Sequence, residues 1–116
     1  MQSESSSGVR VIRDEPERIE SALLDHVRAL RAQHPEIVRI LWFGSRVTGR
    51  PTRSSDVDLC VIVSDSDRPF LERGAAFHPG SFPTGIDLFV YTAAEFAELE
   101  QTSPGWTREI LRGRDL

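Results

Sequence analysis

The sequence has no lysine, a single cysteine and no long apolar run, and each scarcity excludes a class of protein. All 14 basic residues are arginine, and with 18 Asp and Glu residues the net charge is −4. A chain with this acidic balance is not expected to bind duplex nucleic acid, which requires many phosphates to be neutralised. Because Cys60 stands alone, the chain can form neither an internal disulfide framework nor a zinc site with several thiolates.

The chain also lacks the run of about 18 apolar residues that a membrane span requires. Its first residues, MQSESSSG, contain no apolar core of an export signal. We therefore expect a cytoplasmic protein that does not enter a membrane. A length of 116 residues suits one domain with one modest core, and is too short for a catalytic domain plus a separate substrate domain.

Hydrophobic periodicity divides the chain into a lead and one folded domain. Residues 1–15 are predicted to be a disordered or extended lead, because they are polar and rich in serine. Residues 16–116 form the predicted domain, which begins with a helix over about 16–33. In that helix apolar residues recur at spacings of three and four, Pro16 suits the first turn, and His34-Pro35 ends it.

Three segments rich in β-branched and aromatic residues predict strands: IVRILWFG (37–44), DVDLCVIV (56–63) and GIDLFVYT (85–92). A capping box at Thr92 predicts a helix over about 93–101, and Pro104 opens a last helix that ends at Gly113. The fold class is therefore α/β (α+β), with a small mixed sheet of three to four strands and helices mainly on one face. The second and third strands are apolar on both faces, so we expect part of the sheet to be covered by another subunit.

The loop GSRVTGRPTRSS, residues 44–55, combines a glycine and a hydroxyl with positive charge. Gly44 lacks a Cβ, so backbone N–H groups there can approach a ligand closely. Ser45 adds a hydroxyl donor, and a short helix starting here would favour an anion. Arg46 supplies positive charge, as do Arg50 and Arg53 more weakly. These features predict a cradle for a polyphosphate such as that of a nucleoside triphosphate.

The first acidic pair of the second strand, Asp56 and Asp58, predicts a metal site. Residues two apart on a strand point to the same face. Their carboxylates would repel one another without a cation, and hard oxygen ligands of this kind select Mg²⁺, which is often shared with substrate phosphates. Asp87 occupies the matching position in the third strand. If the two strands are neighbours in register, three carboxylates could surround two Mg²⁺ ions and clamp an in-line phosphoryl transfer.

These residues together resemble the signature of the DNA polymerase beta-like nucleotidyltransferases. The chain has Gly-Ser at 44–45, ten further residues, Asp-Val-Asp at 56–58, and then Asp87 within a later strand. Its length resembles the minimal branch of that superfamily, and the resemblance covers about residues 17–114, including REILRG at 108–113.

The resemblance implies a Mg²⁺-dependent transfer of AMP from ATP to a hydroxyl group. Gly44, Ser45 and Arg46 would bind the nucleotide, while Asp56, Asp58 and Asp87 would be the catalytic and metal-binding residues. It further implies a helical HEPN-type partner whose tyrosine is modified, the two chains forming a toxin and antitoxin pair and a possible hetero- or homo-oligomer. Two alternatives stay open: a small-molecule acceptor of the aminoglycoside kind, and an antitoxin that binds without catalysis.

Other chemistry-bearing residues have simpler interpretations. Cys60 is predicted to be a small buried hydrophobic residue. Asp65 and Asp67 imitate the spacing of the acidic pair, but without a preceding Gly-Ser they are predicted to be turn residues. The three histidines are scattered along the sequence and predict no metal cluster. Trp42, Phe89 and Tyr91 are predicted to belong to the core or to an interface.

Overall fold

The structure is a computed structural model that describes residues 3–49 and 56–116, with side chains described from Glu15 onward. Within these residues, the helices and strands follow one another in this order: α1 (Ser3–Gln33), β1 (Ile37–Phe43), α2 (Ser45–Thr48), β2 (Val57–Val63), α3 (Phe70–Phe77), β3 (Ile86–Thr92), α4 (Ala93–Thr102), α5 (Pro104–Leu111) and β4 (Arg114–Asp115).

The first helix is longer than the sequence predicts. It begins at Ser3 and contains Pro16, whereas the sequence predicts a disordered or extended lead over residues 1–15; residues 1 and 2 lie outside the described part. Pro16 removes only one backbone N–H from the helix. Once packing has nucleated a helix, further residues can extend it without a second nucleus. A prediction from local helix propensity does not include this effect.

The predicted strands are confirmed, and they form one mixed sheet in the order β3-β2-β1-β4. Strand β1 pairs antiparallel with β2, and β2 pairs parallel with β3 in an unbroken register from Val57↔Ile86 to Val63↔Thr92. The short strand β4 was not predicted. It pairs with Leu41 and Trp42 of β1, and two residues are too few to produce a pattern in the sequence.

Helices cover both faces of this sheet. On one face, α1 packs its apolar stripe against alternate residues of β1, β2 and β3: the buried members are Ile19, Leu23, Val27, Leu30, Ile40, Trp42, Val57, Leu59, Val61, Val63 and Val90. On the other face, α4 and α5 contribute Phe96 and Ile110 to a second cluster with Leu41, Phe43, Cys60 and Ile62.

The fold class is confirmed, whereas the expectation of helices mainly on one face is wrong. Strand β2 lies in the interior of the sheet and is buried on both faces, so two helical layers are needed to remove its apolar side chains from water. A second subunit is not needed to cover it. Strand β3 lies at the edge and is only partly buried, with Phe89 and Tyr91 half-exposed. Within the described residues, no helix is both long and apolar enough to span a membrane.

A buried arginine joins α3 to the junction of β3 and α4. Arg73, which is 5% exposed, donates two hydrogen bonds to the Glu95 carboxylate, at 2.6 and 3.0 Å, and one to the carbonyl of Val90 at 3.1 Å. Glu95 also completes the predicted capping box, since its Oε1 accepts from the Thr92 amide while the Glu95 amide donates to the Thr92 hydroxyl. One carboxylate therefore fixes the start of α4 and neutralises a buried cation.

We predict that Glu95→Gln lowers the free energy of unfolding at pH 7 by about 2 kcal/mol, because Arg73 stays charged and buried but loses its bidentate acceptor. Hydrogen bonds from Arg73 are the main reason that the pKa of Glu95 falls from 4.5 to about 2. A lowered folded-state pKa stabilises the protein above the unfolded-state value and loses that effect as pH falls. The difference between wild type and variant should therefore be constant above pH 4.5 and shrink towards pH 2.

Urea unfolding across this pH range measures the effect, with Glu98→Gln as the matched control because Glu98 is exposed on the same helix. Equal stability of the two variants at pH 7 would contradict the role assigned to Glu95.

Candidate active site

The three predicted acids lie where β2 and β3 begin. Asp58 and Asp87 are register partners in the parallel pairing, and partners in adjacent parallel strands point to the same face. Asp56 precedes β2 by one residue. Asp58 is half-buried, whereas Asp56 and Asp87 are exposed. The structure therefore brings Asp58 and Asp87 side by side at one end of the sheet, on the face that α4 and α5 cover.

Gly44 ends β1 directly against Asp58. Its neighbour Phe43 is the register partner of Asp58 in the antiparallel pairing. Gly44 has φ +92°, and a Cβ at this position would lie 3.1 Å from the Asp58 Cγ and closer still to Oδ2. Only glycine meets both conditions without strain. The Gly44 carbonyl then accepts from the amides of Val47 and Thr48, at 3.0 and 3.1 Å, which starts the turn of α2.

The other predicted nucleotide-binding residues follow immediately. Ser45 is the first residue of α2 and is exposed, and Arg46 is half-buried in the same short helix. Both therefore directly follow Gly44, whose backbone lies against Asp58. Arg50 and Arg53, which the sequence also suggests, lie outside the described residues.

The charge at this site is concentrated enough to perturb Asp58. Burial is the main cause that raises the pKa of Asp58 above its ordinary 3.8, and the charges of Asp87 and Asp56 and a hydrogen bond with Asp87 raise it further. Glu109 of α5 contributes in the same direction. Sequence reasoning missed Glu109, because nothing in the linear spacing places residue 109 near residue 58; the packing of α5 across the sheet does.

The donor set fits a hard divalent cation. Carboxylate oxygens are the ligands that Mg²⁺ prefers, and a cation between Asp58 and its neighbours would relieve the repulsion that raises its pKa. Among the described residues, however, no group of three or more His, Cys, Asp or Glu side chains is already arranged as a metal site. The predicted pair of Mg²⁺ ions is therefore not confirmed. The agreement with Mg²⁺ lies in the type of ligand, which is carboxylate oxygen.

The structure confirms the simpler interpretations of Cys60, of Trp42 and of the loop that contains Asp65 and Asp67. Cys60 is fully buried, and burial raises the pKa of its thiol to about 12, so it is a core residue. Trp42 is buried in the core. Asp65 and Asp67 lie in the loop after β2, where an Asp65 Oδ1 accepts from the Ser66 amide at 2.9 Å.

A surface cavity of about 510 Å³ lies away from the acids, at the other end of β2. Its lining includes His34, Val63 and Arg73 together with Asp65 and Asp67. None of the predicted site residues contributes to it. Size alone therefore does not identify the site, which is defined by the convergence of charged groups at the start of β2.

We predict that Asp58→Asn raises the free energy of unfolding by about 0.5–1 kcal/mol in the presence of EDTA, because it removes one of several mutually repelling charges. Addition of Mg²⁺ should then raise the melting temperature of the wild type but not that of the variant, since a ligand of the native state stabilises it by mass action. Differential scanning fluorimetry with and without MgCl₂ measures both effects.

Asp65→Asn is the matched control, because Asp65 and Asp67 have the same spacing as Asp56 and Asp58 but lie at the far end of β2. Its response to Mg²⁺ should equal that of the wild type. An Asp58→Asn variant that is less stable in EDTA, or that keeps the full response to Mg²⁺, would contradict the arrangement described.

Comparison with protein families gave a match that covers most of the chain. The model of the nucleotidyltransferase domain family matches residues 23–111, a span that contains β1 to β3, the Gly-Ser turn and all three acids. Searches of curated proteins and of solved structures gave no significant match. Because the family model covers well over half of the chain, the protein belongs to the nucleotidyltransferase domain family.

Proposed function

We propose that this nucleotidyltransferase transfers AMP from ATP to a hydroxyl acceptor and requires Mg²⁺. The single observation that carries the proposal is the register pairing of Asp58 with Asp87 beside Gly44. In the reaction the acceptor oxygen forms a bond to the α-phosphorus of ATP. The bond from that phosphorus to its bridging oxygen breaks, and pyrophosphate leaves with the electron pair.

The proposal gives a role to each predicted residue. Asp56 and Asp58 hold Mg²⁺, which when bound neutralises the charge that develops on the phosphate oxygens. Asp87 completes the ligand set, orients the acceptor hydroxyl and takes its proton, a role suited to an exposed carboxylate. Gly44 and Ser45 present an amide and a hydroxyl to the triphosphate, and Arg46 adds positive charge.

We further propose that the acceptor hydroxyl is a tyrosine of a helical HEPN-type partner, with this chain acting as the antitoxin. Support comes from an unusual surface formed by α3 and α4. Leu71 is 90% exposed and Phe70 37% exposed, beside an apolar groove of about 280 Å³ whose lining includes Tyr91, Leu99 and the acidic Glu98. Apolar side chains beside an acidic one suit a partner helix that carries basic residues.

We predict that purified protein with Mg²⁺ and α-³²P-labelled ATP labels the partner, whereas γ-³²P-labelled ATP does not, because the β- and γ-phosphates leave together. Asp58→Asn and Asp87→Asn should each reduce labelling at least 100-fold, since a missing metal ligand removes charge stabilisation from the transition state. Asp67→Asn should label at the wild-type rate. The measurement is phosphorimaging of a gel after equal reaction times.

The same assay separates the alternatives. Label that appears in a hydroxyl-bearing small molecule and in no protein would identify a small-molecule nucleotidyltransferase. Neutralisation of the partner that survives Asp58→Asn and Asp87→Asn unchanged would identify an antitoxin that acts by occlusion. Either result would contradict the proposed acceptor.

The partner surface has its own test. Leu71→Arg should weaken binding of the partner at least 10-fold, because it places a charge at the most exposed apolar position of that surface. Mg²⁺ binding should stay as in the wild type, since Leu71 is 90% exposed and lies on α3, outside the strands that carry the acids. Leu111→Arg is a control at an exposed apolar residue on α5. Isothermal titration with the partner measures the affinities, and equal loss in both variants would contradict a specific role of α3.

A further inference from the structure

Gly85 lies immediately before β3, next to Asp56, the first acid of the site. Its carbonyl accepts a hydrogen bond of 2.9 Å from the amide of Val57. Val57 is the residue between Asp56 and Asp58. This bond fixes the backbone of Gly85 beside the start of β2, so whatever occupies position 85 meets the Asp56 side chain.

There is no room for a side chain at this position. A Cβ on Gly85 would lie 2.8 Å from Cγ of Asp56 and closer still to Oδ1, well inside van der Waals contact. The backbone itself does not demand glycine here, since the glycines with positive φ among the described residues are Gly44 and Gly80. What requires glycine at position 85 is therefore the carboxylate of Asp56 and not the conformation of the chain.

We propose that Gly85 is a positioning residue for nucleotidyl transfer: its missing Cβ leaves the space in which the Asp56 carboxylate lies beside the start of β3, on the side where Asp58 and Asp87 meet. The inference rests on the proposed function for the use made of Asp56. The contact between position 85 and Asp56 stands on the geometry alone.

A methyl group at position 85 should move the carboxylate and leave the fold in place. The atoms in its way are the end of a short, exposed side chain, which can rotate about χ1 at little cost. The three heavy atoms nearest to such a methyl group all belong to the Asp56 carboxylate. Gly44 differs in this respect, because its positive φ makes any substitution strained as well. Gly85→Ala should therefore displace the Asp56 carboxylate while the stability of the protein stays nearly unchanged.

The test compares Gly85→Ala with Gly74→Ala and Gly105→Ala, two glycines at which an added Cβ would meet nothing within 4 Å. Mn²⁺ is the probe, with its dissociation constant measured by electron paramagnetic resonance on the full chain without nucleotide. Gly85→Ala should weaken Mn²⁺ binding about 10- to 100-fold, the range typical when the support of a metal ligand is removed. Its melting temperature should change by less than about 4 °C, and both controls should bind Mn²⁺ as the wild type does.

If Gly85→Ala melts more than about 4 °C lower, the double variant Asp56→Ala/Gly85→Ala decides the outcome. A melting temperature restored to that of Asp56→Ala alone would support the contact, because the obstructing carboxylate is gone. A double variant that still melts low would overturn the proposal, as would a Gly85→Ala protein that binds Mn²⁺ with wild-type affinity.

The outcomes also separate this inference from the proposed function. A wild-type protein that binds Mn²⁺ but transfers no nucleotide would contradict the proposed function. The Mn²⁺ affinities of Gly85→Ala and of the wild type could still be compared. A wild-type protein that binds no Mn²⁺ would contradict both.

Discussion

The site depends on the parallel pairing of β2 with β3 in a register that sets Asp58 beside Asp87. A shift of one residue would send one of the two carboxylates to the opposite face of the sheet. Hydrophobic burial enforces the register, because Leu59, Val61 and Val63 must face α1 together with Val90. The same alternation that fills the core thus carries the acids to the face covered by α4 and α5.

The cost of this arrangement is local repulsion, and the fold places its stabilising interactions elsewhere. Two apolar clusters, one on each face of the sheet, and the ion pair of the buried Arg73 with Glu95 hold the elements together without using the acids. At the site, two glycines leave space for two carboxylates: Gly44 for Asp58 and Gly85 for Asp56. Clustered negative charges, with glycines beside them, are typical of a functional site. Such sites are rarely optimised for stability.

Much of the fold could be predicted because its signals are local. The continuous apolar run of β2 predicts a buried strand, and the capping box of Thr92 and Glu95 predicts the start of α4. Both predictions are confirmed. The extension of α1 to Ser3 could not be predicted, because serine-rich sequence has no strong helical signal of its own. Helices on both faces follow from the position of β2 inside the sheet, which is a property of topology and not of any one segment.

The site was predicted less completely than the fold, for a related reason. The spacing of Gly44, Asp56 and Asp58 is visible in the sequence, and the position of Asp87 in a strand suggested its partner. Glu109 and Gly85 could not be found in this way, since each acquires its relation to an acid only through packing or strand pairing. A glycine that serves a neighbouring carboxylate looks, in sequence, like any turn residue.

We propose that the acids at the start of β2 and β3 bind a divalent cation together. A crystal structure of the protein grown with MnCl₂ and a non-hydrolysable ATP analogue tests it most directly, because the anomalous signal of Mn²⁺ locates the ion without reference to activity. We expect an anomalous peak within coordinating distance of the Asp56 and Asp58 carboxylates, with Asp87 beside it. A peak elsewhere, such as near Asp65 and Asp67, with the three acids free of metal, would contradict it.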